Sequence, residues 1–183
     1  QRHKDLLVVI GDCNAHTGIS DPYLPFREVL SMLMGDTDDR IAQGMTTEEN
    51  AGRLAGFLGV SKRIVADVGP DLVDIFLPGV GLATRAGAMV MGDKAARRRR
   101  DAAFAGSAAA LAITDSGAAS EQSRIFEQVT SVLTSLAEQK PLLLILDDLH
   151  WVDDSSASLL FHLARRIENS PIQVIGTYRP EEV

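Results

Sequence analysis

Cysteine occurs once in these 183 residues, as Cys13. An internal disulfide framework is thereby excluded, and the chain suits a reducing compartment such as the cytoplasm. Long apolar runs are also missing. The most apolar stretch, Val73 to Met91, is broken by Asp74, Pro78 and Arg85 and makes a poor membrane span. No signal peptide is visible. Basic residues are in deficit, 18 against 25 acidic ones, for a net charge of −7 and an isoelectric point near 5.0. That balance argues against a chain that works by gripping nucleic acid or an anionic membrane. Arg97-Arg98-Arg99-Arg100, close to Lys94, is the local exception and is read as a solvated helix face or connector.

What remains suffices for a packed domain, since 45% of the residues are hydrophobic. Leu6-Leu7-Val8-Val9-Ile10 is a short unbroken apolar run that ends in Gly11-Asp12, as in a strand buried on both faces. Asp21 and Pro22 then open a helix. Phe26, Val29, Leu30, Leu33 and Met34 follow at helical spacing, and Gly35 stops it. From Asp36 to Lys62 the polar text predicts one or two modest helices, and Asp71 to Leu77 a short one. Gly79 to Gly117, rich in alanine and glycine, predicts helices joined by mobile connectors.

Order returns at Ser120, which is placed to cap a helix carrying Ile125, Phe126, Val129, Val132, Leu133 and Leu136 on one face. A second apolar run, Leu142 to Leu146, a helix from about Ser155 to Glu168, and a third run, Ile172 to Thr177, complete the chain. Alternation of helix and strand implies a parallel sheet with right-handed crossovers. No repeat is evident.

Two stretches carry candidate chemistry. Gly11-Asp12-Cys13-Asn14-Ala15-His16 resembles the GD-x-N-A-H signature of the endonuclease/exonuclease/phosphatase family, where the Asp and Asn help hold a metal and a phosphate. That family also carries a Ser-Asp-His signature near its carboxyl end and many alternating strands, and this sequence has neither. Asp12, Asn14 and His16 are therefore read as a polar loop at a sheet edge, with a metal-dependent phosphoesterase as the alternative. The other stretch is Leu142-Leu143-Leu144-Ile145-Leu146-Asp147-Asp148, an apolar strand ending in paired acids. A buried strand delivers carboxylates to the carboxyl edge of a sheet, where open α/β folds bind ligands. One carboxylate can fix a magnesium ion beside a triphosphate, and a second can orient the attacking water. Two acids capping the next turn would spell the same letters. A metal cluster of Asp147, Asp148, His150, Asp153 and Asp154 is disfavoured, because such tight spacing does not let all five converge. Asp153 and Asp154 are read as caps of the next helix, and His150 and Trp151 as packing residues.

With its surroundings, Asp147-Asp148-Leu149-His150-Trp151-Val152-Asp153-Asp154 and the later Gly176-Thr177-Tyr178-Arg179-Pro180-Glu181-Glu182-Val183, this strand resembles the STAND branch of AAA+-related P-loop ATPases, large signalling regulators. The likeness is sharpest over residues 120 to 183 and extends more softly to Cys13 through Asp36. It implies an α/β fold, a P-loop NTPase-like parallel sheet flanked by helices and present only in part, within a partial ATPase domain over residues 1 to 183. Residues 6 to 10 are then the second strand, 20 to 140 a mostly helical insertion and connector, and 141 to 183 the Walker B strand, a helix and the sensor strand. These second, third and fourth strands are neighbours, leaving Ile172 to Thr177 with an open edge. Asp147 becomes the magnesium-side acid, Asp148 the acid near the hydrolytic water, and Arg179 with Thr177 the sensor of the γ-phosphate. ATP and Mg2+ are the implied cofactors. Other domains of the same protein, and possible self-association, are the implied partners, with no nucleic acid or membrane contact.

One departure from the family pattern matters. No G-x-x-x-x-G-K-[ST] loop occurs, and Lys4, Lys62, Lys94 and Lys140 all lie in other contexts. The expectation is that the sequence, which begins at Gln1 and enters a strand within a few residues, lacks its first strand and phosphate loop by truncation. The fragment alone then binds ATP weakly or not at all. A non-catalytic scaffold that kept an ATPase fold is the other alternative.

Overall fold

The computed structural model describes residues 5–13, 22–76 and 115–180. Strands β1 (Leu7–Asp12), β2 (Leu142–Asp147) and β3 (Ile172–Gly176) form one sheet in the order β1-β2-β3, with both pairings parallel. Helices α1 (Leu24–Leu33), α2 (Asp38–Ala42), α3 (Glu48–Val68) and α4 (Pro70–Phe76) follow β1. Helix α5 (Asp115–Gln139) leads into β2, and α6 (Asp154–Ala164) connects β2 to β3. The result is an α/β arrangement, a three-stranded parallel sheet flanked by helices.

Register follows the apolar text. Leu7 pairs with Leu142, Val9 with Leu144 and Gly11 with Leu146, so these side chains share one face. Leu7, Val9, Leu142, Leu144 and Leu146 are all fully buried there with Phe26 and Leu30 of α1, Leu54 of α3, Leu133 and Leu136 of α5 and Leu159 of α6. Gly11 permits this contact: a Cβ on it would lie 2.2 Å from the Pro25 carbonyl oxygen in the first turn of α1. On the other face Val8, Leu143 and Ile145 are only half-buried, and Ile175 is 42% exposed.

The two outer edges of the sheet differ. Alternate N–H groups of β1 point away from β2, and helix side chains receive them: Asn50 at Val8, Met32 at Ile10 and Glu28 at Asp12. No described side chain takes that part at β3, which pairs only with β2 among the described residues. Its residues are half-buried or exposed, as an open edge requires.

Several boundaries depart from the sequence reading. Helix α5 starts at Asp115, so Ser120 lies inside it rather than capping it; Ala118 and Ala119 are strong helix formers and carry the helix upstream. Region 36–62 gives the five-residue α2 and a single 21-residue α3, whose Thr47 cap accepts from Asn50 N–H. Strand β1 runs two residues past Ile10, because pairing with β2 continues through Asp12 and Asp147. Trp151, read as packed, is 52% exposed. The Arg97–Arg100 run and most of the Gly79–Gly117 stretch lie outside the described residues.

Candidate functional site

The carboxyl ends of the three strands gather the polar groups. Asp12 and Asp147 are register partners, so their side chains leave neighbouring strands on the same face. One step beyond the last paired residue of β3, Thr177 donates its N–H to the Leu146 carbonyl at 3.0 Å. Its hydroxyl donates to Asp147 Oδ1 and accepts the Asp148 N–H at 3.0 Å. A row of Asp12, Asp147 and Thr177 therefore spans all three strand ends.

Asp148 turns the chain out of the sheet. Its backbone is left-handed, with φ 54° and ψ 47°, a conformation that costs an L-residue about 1–2 kcal/mol and that Asp tolerates better than most. A 3₁₀ turn, Leu149–Trp151, follows, and Leu149 N–H returns to the Thr177 carbonyl at 2.8 Å. Thr177 thus ties the turn to β3 through both its backbone and its side chain. The Asp148 carboxylate is approached by Arg179 Nε at 4.0 Å and by His150 Nδ1 at 3.9 Å. Arg179 is well exposed, so this contact is a loose one that solvent screens. The His150 side chain is buried against the Trp151 ring.

Downstream, Asp153 Oδ1 accepts from the N–H groups of Ser155 and Ser156, both at 2.9 Å. It is the N-cap of α6, as its position in the sequence implied, and is committed to that structural work. The four acids and His150 of this stretch do not form one ligand set. Among the described residues no group of three or more His, Cys, Asp or Glu side chains is arranged to hold a metal. Asn14 and His16, needed by the phosphoesterase alternative, lie outside the described residues.

Asp12 brings groups that the sequence reading did not find. Its N–H donates to Glu28 Oε2 at 2.6 Å, and Arg40 Nη2 holds that same oxygen at 2.6 Å. Arg40 Nη1 also lies 3.5 Å from Asp12 Oδ2. Burial lifts the Asp12 carboxyl above its ordinary value; Arg40 opposes the shift, while the nearby Asp147 and Asp148 charges add to it. A cavity of about 390 Å³ opens beside this group, lined among others by Ser31, Asp36, Asp39 and Gln43. Glu28 at the margin of an amphipathic helix and Arg40 in a polar stretch gave only the faint signal of isolated charges near apolar positions. Cys13, next in line, donates its N–H to the Asp147 carbonyl, and burial, with Asp12 adding, pushes its thiol up to about 12.

Chemically, this corner offers hard oxygen ligands, two carboxylates and a hydroxyl, which suit magnesium better than a soft metal. No described helix is long and apolar enough to cross a membrane. The model of a family described as the AAA ATPase domain matches residues 2–175. No curated protein and no solved structure matches the chain.

Proposed function

The chain belongs to the AAA ATPase domain family, and on that premise we propose that it is the nucleotide-binding core of a STAND-type signalling ATPase, working in the cytoplasm as a nucleotide-dependent switch. The observation that carries this reading is the Thr177 hydroxyl, shared between the Asp147 carboxylate and the Asp148 N–H at the ends of adjacent parallel strands. Open α/β sheets bind ligands at such carboxyl ends.

In this reading Asp147 is the residue that holds magnesium, directly or through water. Asp148 is the acid beside the hydrolytic water, held outward by its left-handed backbone. Thr177 keeps both acids in register, and Arg179, 4.0 Å from Asp148, exchanges that contact for a γ-phosphate oxygen. Magnesium, when bound, neutralises phosphate charge. Gain and loss of the γ-phosphate then bias two arrangements of this corner and of the domains around it.

The phosphate-cradling loop G-x-x-x-x-G-K-[ST] is not among these 183 residues. The isolated chain is therefore expected to bind MgATP more weakly than micromolar, and Asp147→Asn to abolish whatever the cation adds. Titration calorimetry tests both. Micromolar affinity would overturn the first expectation, and indifference to Asp147→Asn would overturn the metal role of Asp147. In the full-length protein, Asp148→Asn slows turnover more than binding, and Arg179→Ala blunts discrimination between ATP and ADP.

A further inference from the structure

One carboxylate of the corner has no part in the function proposed above. Asp12 stands beside Asp147 on the same face of the sheet, across a strand spacing of about 4.8 Å. Side chains of register partners on adjacent strands can share one hard cation, whose oxygen ligands lie about 2.0–2.1 Å away for magnesium. Yet Asp12 is already engaged, with its N–H on Glu28 and its carboxylate beside Arg40.

Arg40 donates from Nη1 to Met45 Sδ at 3.4 Å, and its two ion pairs are unequal. Its ion pair with Glu28, at 2.6 Å, is close, whereas its approach to Asp12, at 3.5 Å, is loose. Arg40 belongs to α2, and none of the five residues of that helix is buried. Short elements without buried apolar contacts sit at the low end of local stability and shift readily. Room for a shift exists, because the 390 Å³ cavity lies beside the guanidinium, and Asp36 and Asp39 on its wall offer that cation other carboxylate partners.

We propose that Arg40 is a positioning residue that withholds the Asp12 carboxylate from a divalent cation held at Asp147, so that the stance of α2 sets how tightly the cation is held. With Arg40 on Asp12, one carboxylate faces the cation. With Arg40 drawn toward Asp36 and Asp39, two do. The inference rests on the assignment of Asp147 as the metal-side acid and names α2 as the element through which a signal reaches it.

The test measures Mn2+ binding to the 183-residue chain by electron paramagnetic resonance, without nucleotide. Arg40→Gln is expected to tighten Mn2+ binding about three- to tenfold, the size of effect that the released Asp12 carboxylate exerts on a cation over several ångströms in partly hydrated surroundings. In an Asp12→Asn background the same substitution is expected to change affinity less than about twofold, because the carboxylate to be released is gone. Equal tightening in both backgrounds would mean a through-space charge effect, and would overturn the proposal. Absence of Mn2+ binding from the wild-type chain and from Arg40→Gln alike would do the same. Should Arg40→Gln unfold the chain by circular dichroism, Arg40→Met, which keeps the buried stem, replaces it. Asp147→Asn separates the two layers: wild-type Mn2+ affinity in that variant overturns the Asp147 assignment whatever Arg40 does, whereas loss of binding there with no Arg40 effect overturns the positioning role alone.

Discussion

The side-chain amide of Asn50 occupies both backbone groups of Val8, accepting its N–H at 3.1 Å and donating to its carbonyl at 2.8 Å. One residue at the start of α3 thus stands in for a neighbouring strand at the outer edge of β1. Stripping these partners leaves two main-chain groups unsatisfied in a half-buried strand. Asn50→Ala is expected to cost about 2 kcal/mol, read from urea unfolding. Asn50→Asp is expected to cost more, because it sets a carboxylate against the Val8 carbonyl.

That device was hidden in the sequence, and the reason is instructive. Short apolar runs mark strands, so β1, β2 and β3 could be read from Leu6–Ile10, Leu142–Leu146 and Ile172–Thr177, and the alternation of helix and strand implied that they run parallel. Asp147 and Asp148 stood out as paired acids at a strand end, whereas Thr177 and Arg179 joined them only through the resemblance to STAND-type ATPases. Asn50 and Glu28 reach the backbone edge of β1 from 42 and 16 residues away in sequence, and Arg40 reaches the Asp12 and Glu28 carboxylates. No period or spacing encodes such a contact. Ser120 misled for the opposite reason: a good capping residue is also tolerated inside a helix once alanines precede it.

Close approach of elements predicts a contrast between two glycines. A Cβ on Gly11 would fall 2.2 Å from the Pro25 carbonyl oxygen, which is backbone and cannot step aside without moving α1. A Cβ on Gly176 would fall 2.1 Å from Leu149 Cδ1, the tip of a flexible side chain. Gly11→Ala is expected to destabilise by about 3 kcal/mol and Gly176→Ala by about 1 kcal/mol, the two ends of the usual overpacking range. Equal losses in denaturant unfolding would contradict the difference in what each methyl meets.

Titration gives a third expectation. Burial is the main reason that the Cys13 thiol rises from 9.0 to about 12. At pH 8 the native thiolate fraction is then about a thousandfold lower than in the unfolded chain, so alkylation should be slow until unfolding exposes the thiol. The folded value is raised, so this group's contribution to stability is fully present below pH 9.0 and is lost as pH rises through about 12. Rapid labelling of the native chain by iodoacetamide at pH 8 would contradict both statements.

His162 shifts the other way. Burial, chiefly, lowers its imidazole below 6.5, with Arg166 acting in the same direction and Glu127 against it. A neutral ring packs against Phe126, at 5.4 Å between centroids. The folded state therefore binds this proton less readily than the unfolded one. Stability from this group is full above pH 6.5 and falls as pH drops through 6.5 toward the folded value. Glu127→Gln is expected to lower the imidazole further in an NMR titration; an upward shift would show that Arg166, released from Glu127, no longer bears on the ring.

Thr177 joins the structural and the chemical claims, and two substitutions separate them. Its hydroxyl accepts the Asp148 N–H at 3.0 Å while donating to Asp147, so a single oxygen fixes the left-handed turn and orients the carboxylate assigned to magnesium. Thr177→Ser keeps that oxygen, and should hold both stability and Mn2+ affinity near the original. Thr177→Val keeps the shape and loses the oxygen, leaving an N–H without its acceptor and a carboxylate free to rotate. Exposure of the site lets water replace part of the lost bonding, so a stability loss of only about 1 kcal/mol is expected. Cation affinity should fall by a larger factor than this loss implies, because the turned carboxylate no longer faces the row of Asp12 and Thr177 positions. If Thr177→Val lost stability while Mn2+ binding stayed unchanged, the hydroxyl would be a turn-holder only, and the orientation of Asp147 would have to come from elsewhere.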